Sequence, residues 1–173
     1  GADFGGDSKD LEMFLSKCGS RPPVYIGWGS LKGGTSKDLA ALAVRTLKLV
    51  GCQGIILEGW AGVKEECLKG QSDEGELLEY STNHILWLQA AAHETLFPKC
   101  YVSVHHGGIG TTMVGMRSGK PSVITPVFYD QFDSADLVVA QKVGLATVPL
   151  PQLTPDILAS KIRTCLEDST IQE

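Results

Sequence analysis

The residues most able to do chemistry lie between Val102 and Thr112, in the run Val-Ser-Val-His-His-Gly-Gly-Ile-Gly-Thr-Thr. The first residues alternate β-branched and small side chains, as a buried strand does. Gly107, Gly108 and Gly110 then allow a tight turn and a close approach of ligand to backbone, and a helix is predicted over 111–117. Free N–H groups and the positive end of the helix dipole would face one spot, which predicts a phosphate or diphosphate site.

Side chains beside this turn could add hydrogen-bond donors to the same spot. His106 and the hydroxyls of Thr111 and Thr112 are the candidates. Two adjacent histidines at a strand end are an unusual core choice, because at most one imidazole can face each side of a strand. Glycine-rich turns also occur for packing alone, so the turn by itself leaves both interpretations open.

A second polar pair, Asp130 and Gln131, follows a predicted strand that ends at Pro126. A carboxylate beside an amide suits a ligand dense in hydroxyls, because the carboxylate accepts hydrogen bonds and the amide both accepts and donates them. The pair could instead cap a helix predicted from Ser134 to Val143.

Other elements must bring these stretches together. Short apolar runs predict six strands: Val24–Gly27, Gly54–Leu57, Ile85–Leu88, 100–105, Ser122–Thr125 and Ala146–Pro149. Helical patterns separate them, with Ser36 predicted as the N-cap of one helix and Thr154 as the N-cap of the last. Alternating strands and helices indicate an α/β protein with a Rossmann-like, doubly wound parallel sheet of about six strands.

In such a sheet, ligands bind past the carboxyl ends of the strands, near the point where the strand order reverses. Five polar or glycine-rich segments are predicted to share that edge: Gly27–Ser30, Glu58–Gly62, Gln89–His93, His105–Thr112 and Pro126–Gln131.

The remaining segments divide the chain. Residues 1–20 are expected to be a tail or linker that holds a short helix near Leu11, and residues 21–173 a single ligand-binding domain. Within residues 63–82, the acidic, apolar-poor segment Gln71–Glu76 is predicted to be a surface loop or insertion.

Composition limits the classes of function. The chain has 173 residues and a net charge of −5, so it shows no basic footprint for nucleic acid. It carries no apolar run of the roughly 18 residues that a membrane span needs, and no signal peptide is recognised. Its five scattered cysteines form no C-x-x-C pair, which favours a reducing, intracellular setting.

Several common motifs do not fit. Gly29–Ser36 lacks the Gly-Lys-Ser/Thr ending of a Walker A loop. Gly108 and Gly110 could begin a dinucleotide fingerprint, but Met113 stands where glycine or alanine is expected and the turn follows the fourth strand. The four histidines lack metal-ligand spacing, and no G-x-S-x-G elbow of a serine hydrolase is present.

The order and spacing of these motifs resemble the nucleotide-sugar signature of family 1 glycosyltransferases, and within it the sterol glucosyltransferases. The resemblance covers roughly residues 22–165. It is carried by Pro23–Leu31, Gly54–Gly62, His93–Pro98, His105–Thr112, Ser118–Pro121 and Pro126–Gln131.

The resemblance implies a role for each matching position. The diphosphate contacts would be His106, Gly108, Gly110, Thr111, Thr112 and Ser30. Sugar hydroxyls would be bound by Asp130 and Gln131. The nucleoside would be framed by Gln89, Ala90, Ala92 and His93. The resemblance implies no metal and no cofactor, only a UDP-sugar as donor substrate.

Two positions depart from the family pattern. Val114 stands where plant small-molecule members carry a glutamate for the ribose, and Ala92 precedes His93 where many sterol-type members have proline. Trp60 and Trp87 could line the base pocket or lie in the core.

The family fold, GT-B, has two Rossmann-like domains, and this chain resembles the C-terminal, donor-binding one. The expected protein is therefore an inverting, metal-independent UDP-glycosyltransferase that moves a hexose, glucose from UDP-glucose, to a hydroxyl of a lipid or sterol-like acceptor. The acceptor site and the catalytic base, a histidine, belong to the N-terminal domain, which has no counterpart here. No catalytic residue is therefore expected in this chain, which alone should be inactive.

Three alternatives stay open: a half-enzyme that needs a separate acceptor-binding subunit, a nucleotide-binding Rossmann domain without chemistry, and an epimerase of related fold. The expected location is the cytoplasm, with peripheral membrane association of the full-length protein and no nucleic-acid partner.

Overall fold

In the computed structural model, residues 9–29 and 33–171 are described, and they form one six-stranded parallel sheet. The strands are β1 Val24–Gly27, β2 Gly54–Leu57, β3 Ile85–Leu88, β4 Val102–His105, β5 Ser122–Ile124 and β6 Gly144–Ala146. Their spatial order is β3-β2-β1-β4-β5-β6. The predicted doubly wound α/β fold is therefore confirmed.

The strand order reverses between β1 and β4, which are hydrogen-bonded neighbours at the centre of the sheet. Gly27 pairs with His105, and His105 pairs with Ile124 on β5. The residues that follow these three positions therefore emerge side by side at the carboxyl edge. This edge is where ligands of doubly wound sheets bind.

Seven helices cover the two faces in the described ranges: α1 Lys9–Cys18, α2 Ser36–Val50, α3 Glu74–His84, α4 His93–Leu96, α5 Ile109–Arg117, α6 Tyr129–Ala140 and α7 Pro155–Glu167. Four short 3-10 turns accompany them: Glu65–Leu68, Phe97–Lys99, Leu150–Gln152 and Ser169–Ile171.

Side chains that alternate along the strands supply a core on each face of the sheet. On β1, Val24 and Ile26 join a cluster with α2 and α7, whereas Tyr25 joins the opposite cluster with Leu11 and Phe97. All of these side chains are buried. Burial on both faces explains why the strands read as continuous apolar runs.

Helix α1 lies within the segment expected to be a tail or linker. The short helix predicted near Leu11 is confirmed, and Leu11 is fully buried in the core. Residues 1–8 lie outside the described part of the chain.

The acidic segment Gln71–Glu76 is a surface loop only in its first half, because Glu74 begins helix α3. The Glu65–Leu68 turn before it buries Leu68 completely, and α3 buries Leu77. The Arg45 guanidinium holds its N-terminal end with two hydrogen bonds to the Asp73 carboxylate, at 2.9 and 2.6 Å. Tertiary contacts with α2 therefore stabilise a helix that the local pattern does not indicate.

Capping also differs from the prediction at one helix and matches it at another. The N-cap of α2 is Thr35, not Ser36, because the Thr35 hydroxyl accepts from Asp38 N at 3.1 Å and the Asp38 carboxylate accepts from Thr35 N. Thr154 caps α7 as predicted, with Pro155 at the first helical position.

Three boundaries lie earlier in the chain than predicted. Helix α5 begins at Ile109 instead of Thr111, α6 at Tyr129 instead of Ser134, and β6 at Gly144 instead of Ala146. Gly144 pairs with Ser122 on β5, and a Cβ on Gly144 would overlap the Ser122 backbone oxygen. The glycine therefore permits close strand pairing.

All five cysteines are free thiols. Within residues 9–29 and 33–171, no helix combines the length and apolar content needed to cross a bilayer.

Candidate functional site

The loops after β1 and β4 meet at the point where the strand order reverses, around the imidazole of His106. A Cβ on Gly29 would lie 3.4 Å from His106 Cε1, and a Cβ on Gly108 would lie 2.6 Å from His106 Nε2. Two glycines therefore leave the space that the ring occupies. Gly29 also has a φ of +63°, which favours glycine independently of packing.

The His106 ring is half-buried, and its Nδ1 is buried with no hydrogen-bond partner among the described residues. Burial lowers the pKa of His106, the nearby Asp130 carboxylate raises it to a smaller extent, and His93 lowers it further. Packing brings the same elements together, because a Cβ on Gly107 would lie 3.2 Å from Gln131 O on α6, and Phe97 contacts the rings of both His105 and His93. The turn after β4, the start of α6 and the start of α4 therefore converge on one site.

Helix α5 begins beside this ring without a side-chain cap. The first backbone hydrogen bond of the helix runs from Thr112 N to Gly108 O at 2.9 Å. The N–H groups of Ile109, Gly110 and Thr111 consequently have no acceptor within the helix. This helix N-terminus next to His106 therefore presents free N–H donors, an arrangement that suits an anion.

The two threonines of this turn do not behave alike. Thr112 is fully buried, and its hydroxyl donates to Gly108 O at 3.0 Å, so both of its donors are used inside the helix. Thr111 is partly exposed, and its hydroxyl bonds to none of the described residues. Ile109, which the prediction omitted because it started the helix at Thr111, contributes a free N–H.

His105 points to the other side of the strand from His106. It is fully buried, accepts a hydrogen bond from Gly107 N at Nδ1 (3.3 Å) and stacks on Phe97. Burial lowers its pKa to about 3, so the ring is neutral. His105 therefore stabilises the turn from the buried side of the strand, and His106 is the histidine that faces the site.

Asp130 and Gln131 separate in the structure. Gln131 is 6% exposed, and its Oε1 accepts from Val127 N at 2.7 Å and from Phe128 N at 3.0 Å. The amide oxygen thus caps its own helix, as the capping alternative proposed, though the helix begins at Tyr129. The Asp130 carboxylate is exposed, and Gln131 Nε2 has no acceptor in the described part of the chain.

The segment expected to frame a nucleoside follows β3. Gln89 and Ala90 are exposed, Ala92 is partly exposed, and His93 is half-buried with its Nε2 2.8 Å from the Tyr25 hydroxyl. Of the two tryptophans weighed for a base pocket, Trp87 packs against the core and donates to Ser81 Oγ, whereas Trp60 is 93% exposed on the turn after β2. Ser30 lies outside the described residues.

A buried hydrogen-bond chain that sequence reasoning missed ties three of these loops together. Trp28 Nε1 donates to Thr125 Oγ1 at 2.9 Å, and the Thr125 hydroxyl donates to His105 O at 3.2 Å. These residues come directly after β1, β5 and at the end of β4. A tryptophan and a threonine that each follow a strand on the same edge would have been the signal. In the described ranges, no three side chains cluster as metal ligands.

A substitution at Gly110 can test ligand binding without disturbing the fold. Its φ is not positive, and a Cβ there would meet no atom within 4 Å. Gly110→Ala is therefore expected to leave the free energy of unfolding unchanged or raise it by up to about 1 kcal/mol. If a diphosphate occupies this space, UDP affinity should fall at least about fivefold from overpacking.

Gly75→Ala is the matched control, because Gly75 is also the second residue of its helix and also has open space around it. Urea unfolding and calorimetry with UDP should show similar stability for both variants and weakened binding for Gly110→Ala alone. Equal UDP affinity in the two variants would remove Gly110 from the site.

The family described as "Erythromycin biosynthesis protein CIII-like, C-terminal domain" matches residues 85–173, which hold β3 to α7 and therefore most of the candidate site. The chain belongs to this family.

Individual relatives agree with the family match. A sterol 3-beta-glucosyltransferase of Arabidopsis thaliana is 36% identical over 146 residues, which cover 84% of this chain and 22% of the relative. A UDP-sugar-dependent glycosyltransferase of Dictyostelium discoideum is 27% identical over 179 residues, covering 94% of this chain and 10% of the relative. The chain thus spans about a fifth or less of these relatives.

The fold of this CIII-like domain recurs in a solved structure, the glycosyltransferase VinC in complex with DTDP. The TM-score is 0.69 at 22% identity, with 96% of this chain and 38% of VinC covered. The six-stranded sheet is therefore the fold of the C-terminal half of GT-B glycosyltransferases.

Proposed function

We propose that this chain is the donor-binding domain of an inverting glycosyltransferase that moves a hexose, glucose from UDP-glucose, to a hydroxyl of a sterol-like or other lipid acceptor. The observation that carries the proposal is the uncapped N-terminus of α5 beside His106, at the switch point of the sheet. The glycosyltransferase relatives favour a transferase over an epimerase or a non-catalytic nucleotide binder.

The residues of this site suit the departing nucleoside diphosphate. In the reaction, an acceptor hydroxyl loses its proton to a base outside this chain, and its oxygen forms a bond to the anomeric carbon. The bond between that carbon and the diphosphate oxygen breaks, and the electron pair leaves with UDP. The free N–H groups of Ile109, Gly110 and Thr111 and the imidazole of His106 would stabilise the negative charge that develops there.

The sugar end of the donor would lie toward α6. The exposed Asp130 carboxylate would accept hydrogen bonds from sugar hydroxyls, and the free Gln131 Nε2 would donate one. Because Gln131 Oε1 is already bonded to the backbone, the amide is held in one orientation. A fixed amide and a nearby carboxylate are the features that distinguish one arrangement of hydroxyls from another.

Apolar side chains on the same edge support an acceptor-binding half that covers it. Trp60 and Tyr129 are each 93% exposed, Ile109 60% and Phe128 51%. They follow β2, β4 and β5 and border the proposed donor site. Exposed apolar patches of this kind mark contact surfaces, and the remainder of a longer protein or a separate subunit would bury this one.

Titration calorimetry and thermal unfolding of the 173-residue chain test the proposal. UDP and UDP-glucose should bind and raise the Tm, because a ligand that binds only the folded state stabilises it by mass action. UDP-glucose with a sterol should give no product with this chain alone. The absence of binding by UDP, UDP-glucose and dTDP would overturn the donor role, and turnover would overturn the need for a second half.

A further inference from the structure

We propose that Tyr25 is a positioning residue for the nucleoside end of this site: it fixes His93 as the Nδ1–H tautomer, so that this nitrogen donates a hydrogen bond to a carbonyl oxygen of a pyrimidine base. The inference rests on the proposed function and adds to it a residue from the middle of β1.

The contact joins two residues that are 68 positions apart. The Tyr25 hydroxyl lies 2.8 Å from His93 Nε2, and the two rings meet edge to face with centroids 5.5 Å apart. Phe97 closes the cluster, 4.9 Å from the Tyr25 ring and 5.0 Å from the His93 ring. Gly27 leaves room for the hydroxyl, because a Cβ there would overlap it.

Burial decides which atom donates. Tyr25 is 1% exposed, and His93 Nε2 is the acceptor that the described residues offer its hydroxyl hydrogen. If Nε2 carried the proton instead, the phenolic O–H would be a buried donor without an acceptor, which costs about 1–3 kcal/mol. Burial also raises the pKa of Tyr25 and lowers that of His93, so the tyrosine keeps its proton and the imidazole is neutral.

A neutral imidazole that accepts at Nε2 carries its hydrogen on Nδ1. His93 Nδ1 is not among the buried unpartnered atoms of the described residues, so it is open to a ligand. His93 begins α4, directly after the Gln89–Ala92 segment, and α4 packs beside α5.

A donor at this position matches the chemistry of an oxo-pyrimidine. Uracil and thymine present carbonyl oxygens as their acceptors, and a nucleoside diphosphate with its phosphates at α5 would bring its base within reach of α4. With the opposite tautomer, Nδ1 would be an acceptor facing those oxygens. The Tyr25 hydroxyl therefore decides whether His93 Nδ1 attracts or repels the carbonyl oxygens of the base.

Nitrogen-15 NMR of the histidine rings reads the tautomer directly in the ligand-free chain. We expect His93 to be the Nδ1–H form in the natural sequence and to lose that form in Tyr25→Phe, which keeps the aromatic contacts. Tyr80→Phe is the matched control, since the Tyr80 hydroxyl donates to Leu47 O and Cys52 O, away from the site. This control should leave the His93 spectrum unchanged.

Binding measurements then separate positioning from general damage. Tyr25→Phe should weaken UDP about three- to tenfold, the size of one hydrogen bond, and leave the affinity for inorganic diphosphate unchanged. Equal losses for both ligands, unchanged UDP affinity, or an Nε2–H ring in the natural chain would each overturn the proposal. The last result decides even where Tyr25→Phe fails to fold. No binding of UDP to the natural chain would overturn the proposed function as well, whereas UDP binding that is indifferent to Tyr25→Phe would overturn this inference alone.

Discussion

His106→Ala is expected to weaken UDP binding about 10- to 100-fold, because it removes a hydrogen bond to a charged diphosphate worth roughly 1.5–3 kcal/mol. The free energy of unfolding should hardly change. His106 Nδ1 is already buried without a partner in the described part of the chain, so the alanine variant gives up no hydrogen bond at that atom.

Calorimetry at fixed ionic strength measures the change, with His84→Ala as the control. His84 is exposed at the end of α3, where β3 begins and therefore at the opposite edge of the sheet from the site. Its replacement should leave UDP affinity unaltered. If His106→Ala binds UDP as tightly as the control does, the imidazole has no part in the site.

Gly107→Ala is expected to lower the free energy of unfolding by about 2–5 kcal/mol, from backbone strain of roughly 1–2 kcal/mol and overpacking of roughly 1–3 kcal/mol. Gly107 has a φ of +92°, and a Cβ there would lie 2.7 Å from Ile124 Cγ2 and 3.2 Å from the backbone oxygen of Gln131. The residue is the point where the turn after β4 packs on β5 and α6. UDP affinity should fall with stability, because the same packing holds His106 and α6 together.

Gly119→Ala isolates the backbone part of this effect. Gly119 has a φ of +67°, but a Cβ there would meet no atom within 4 Å. It should therefore cost only the strain of about 1–2 kcal/mol. Urea unfolding of the two variants gives the comparison, and equal losses would mean that the turn has room for a side chain at position 107.

The groups of the proposed site come from several different loops at the carboxyl edge of the sheet. In the proposed donor site, the helix N-terminus and His106 would supply hydrogen-bond donors, Gln131 and Asp130 would face the sugar, and α4 would approach the nucleoside. Each group belongs to a different strand end. The reversal of strand order therefore brings together short loops that are far apart in the sequence.

Patterns that depend on near neighbours along the chain were predictable. Short apolar runs identified the strands, and the glycine-rich run identified the turn between β4 and α5. Thr154 and Pro155 marked the start of α7, because capping needs only residues within one turn. The helix that begins in the acidic segment was not predictable in this way, because Arg45, which binds Asp73 at the N-terminal end of that helix, lies 28 residues earlier in the chain.

The sequence by itself determined the class of fold, the polar edge and the glycine turn, since burial on both faces of a parallel strand and positive φ leave local signatures. Only the tertiary structure decided that His105 is buried while His106 faces the site. It also decided that the Gln131 amide oxygen caps its own helix and that the Tyr25 hydroxyl contacts His93. The physical reason is that a side chain's partner depends on which strands become neighbours. Strand order is set by the packing of the whole sheet, and it cannot be predicted from the few residues on either side of a given position.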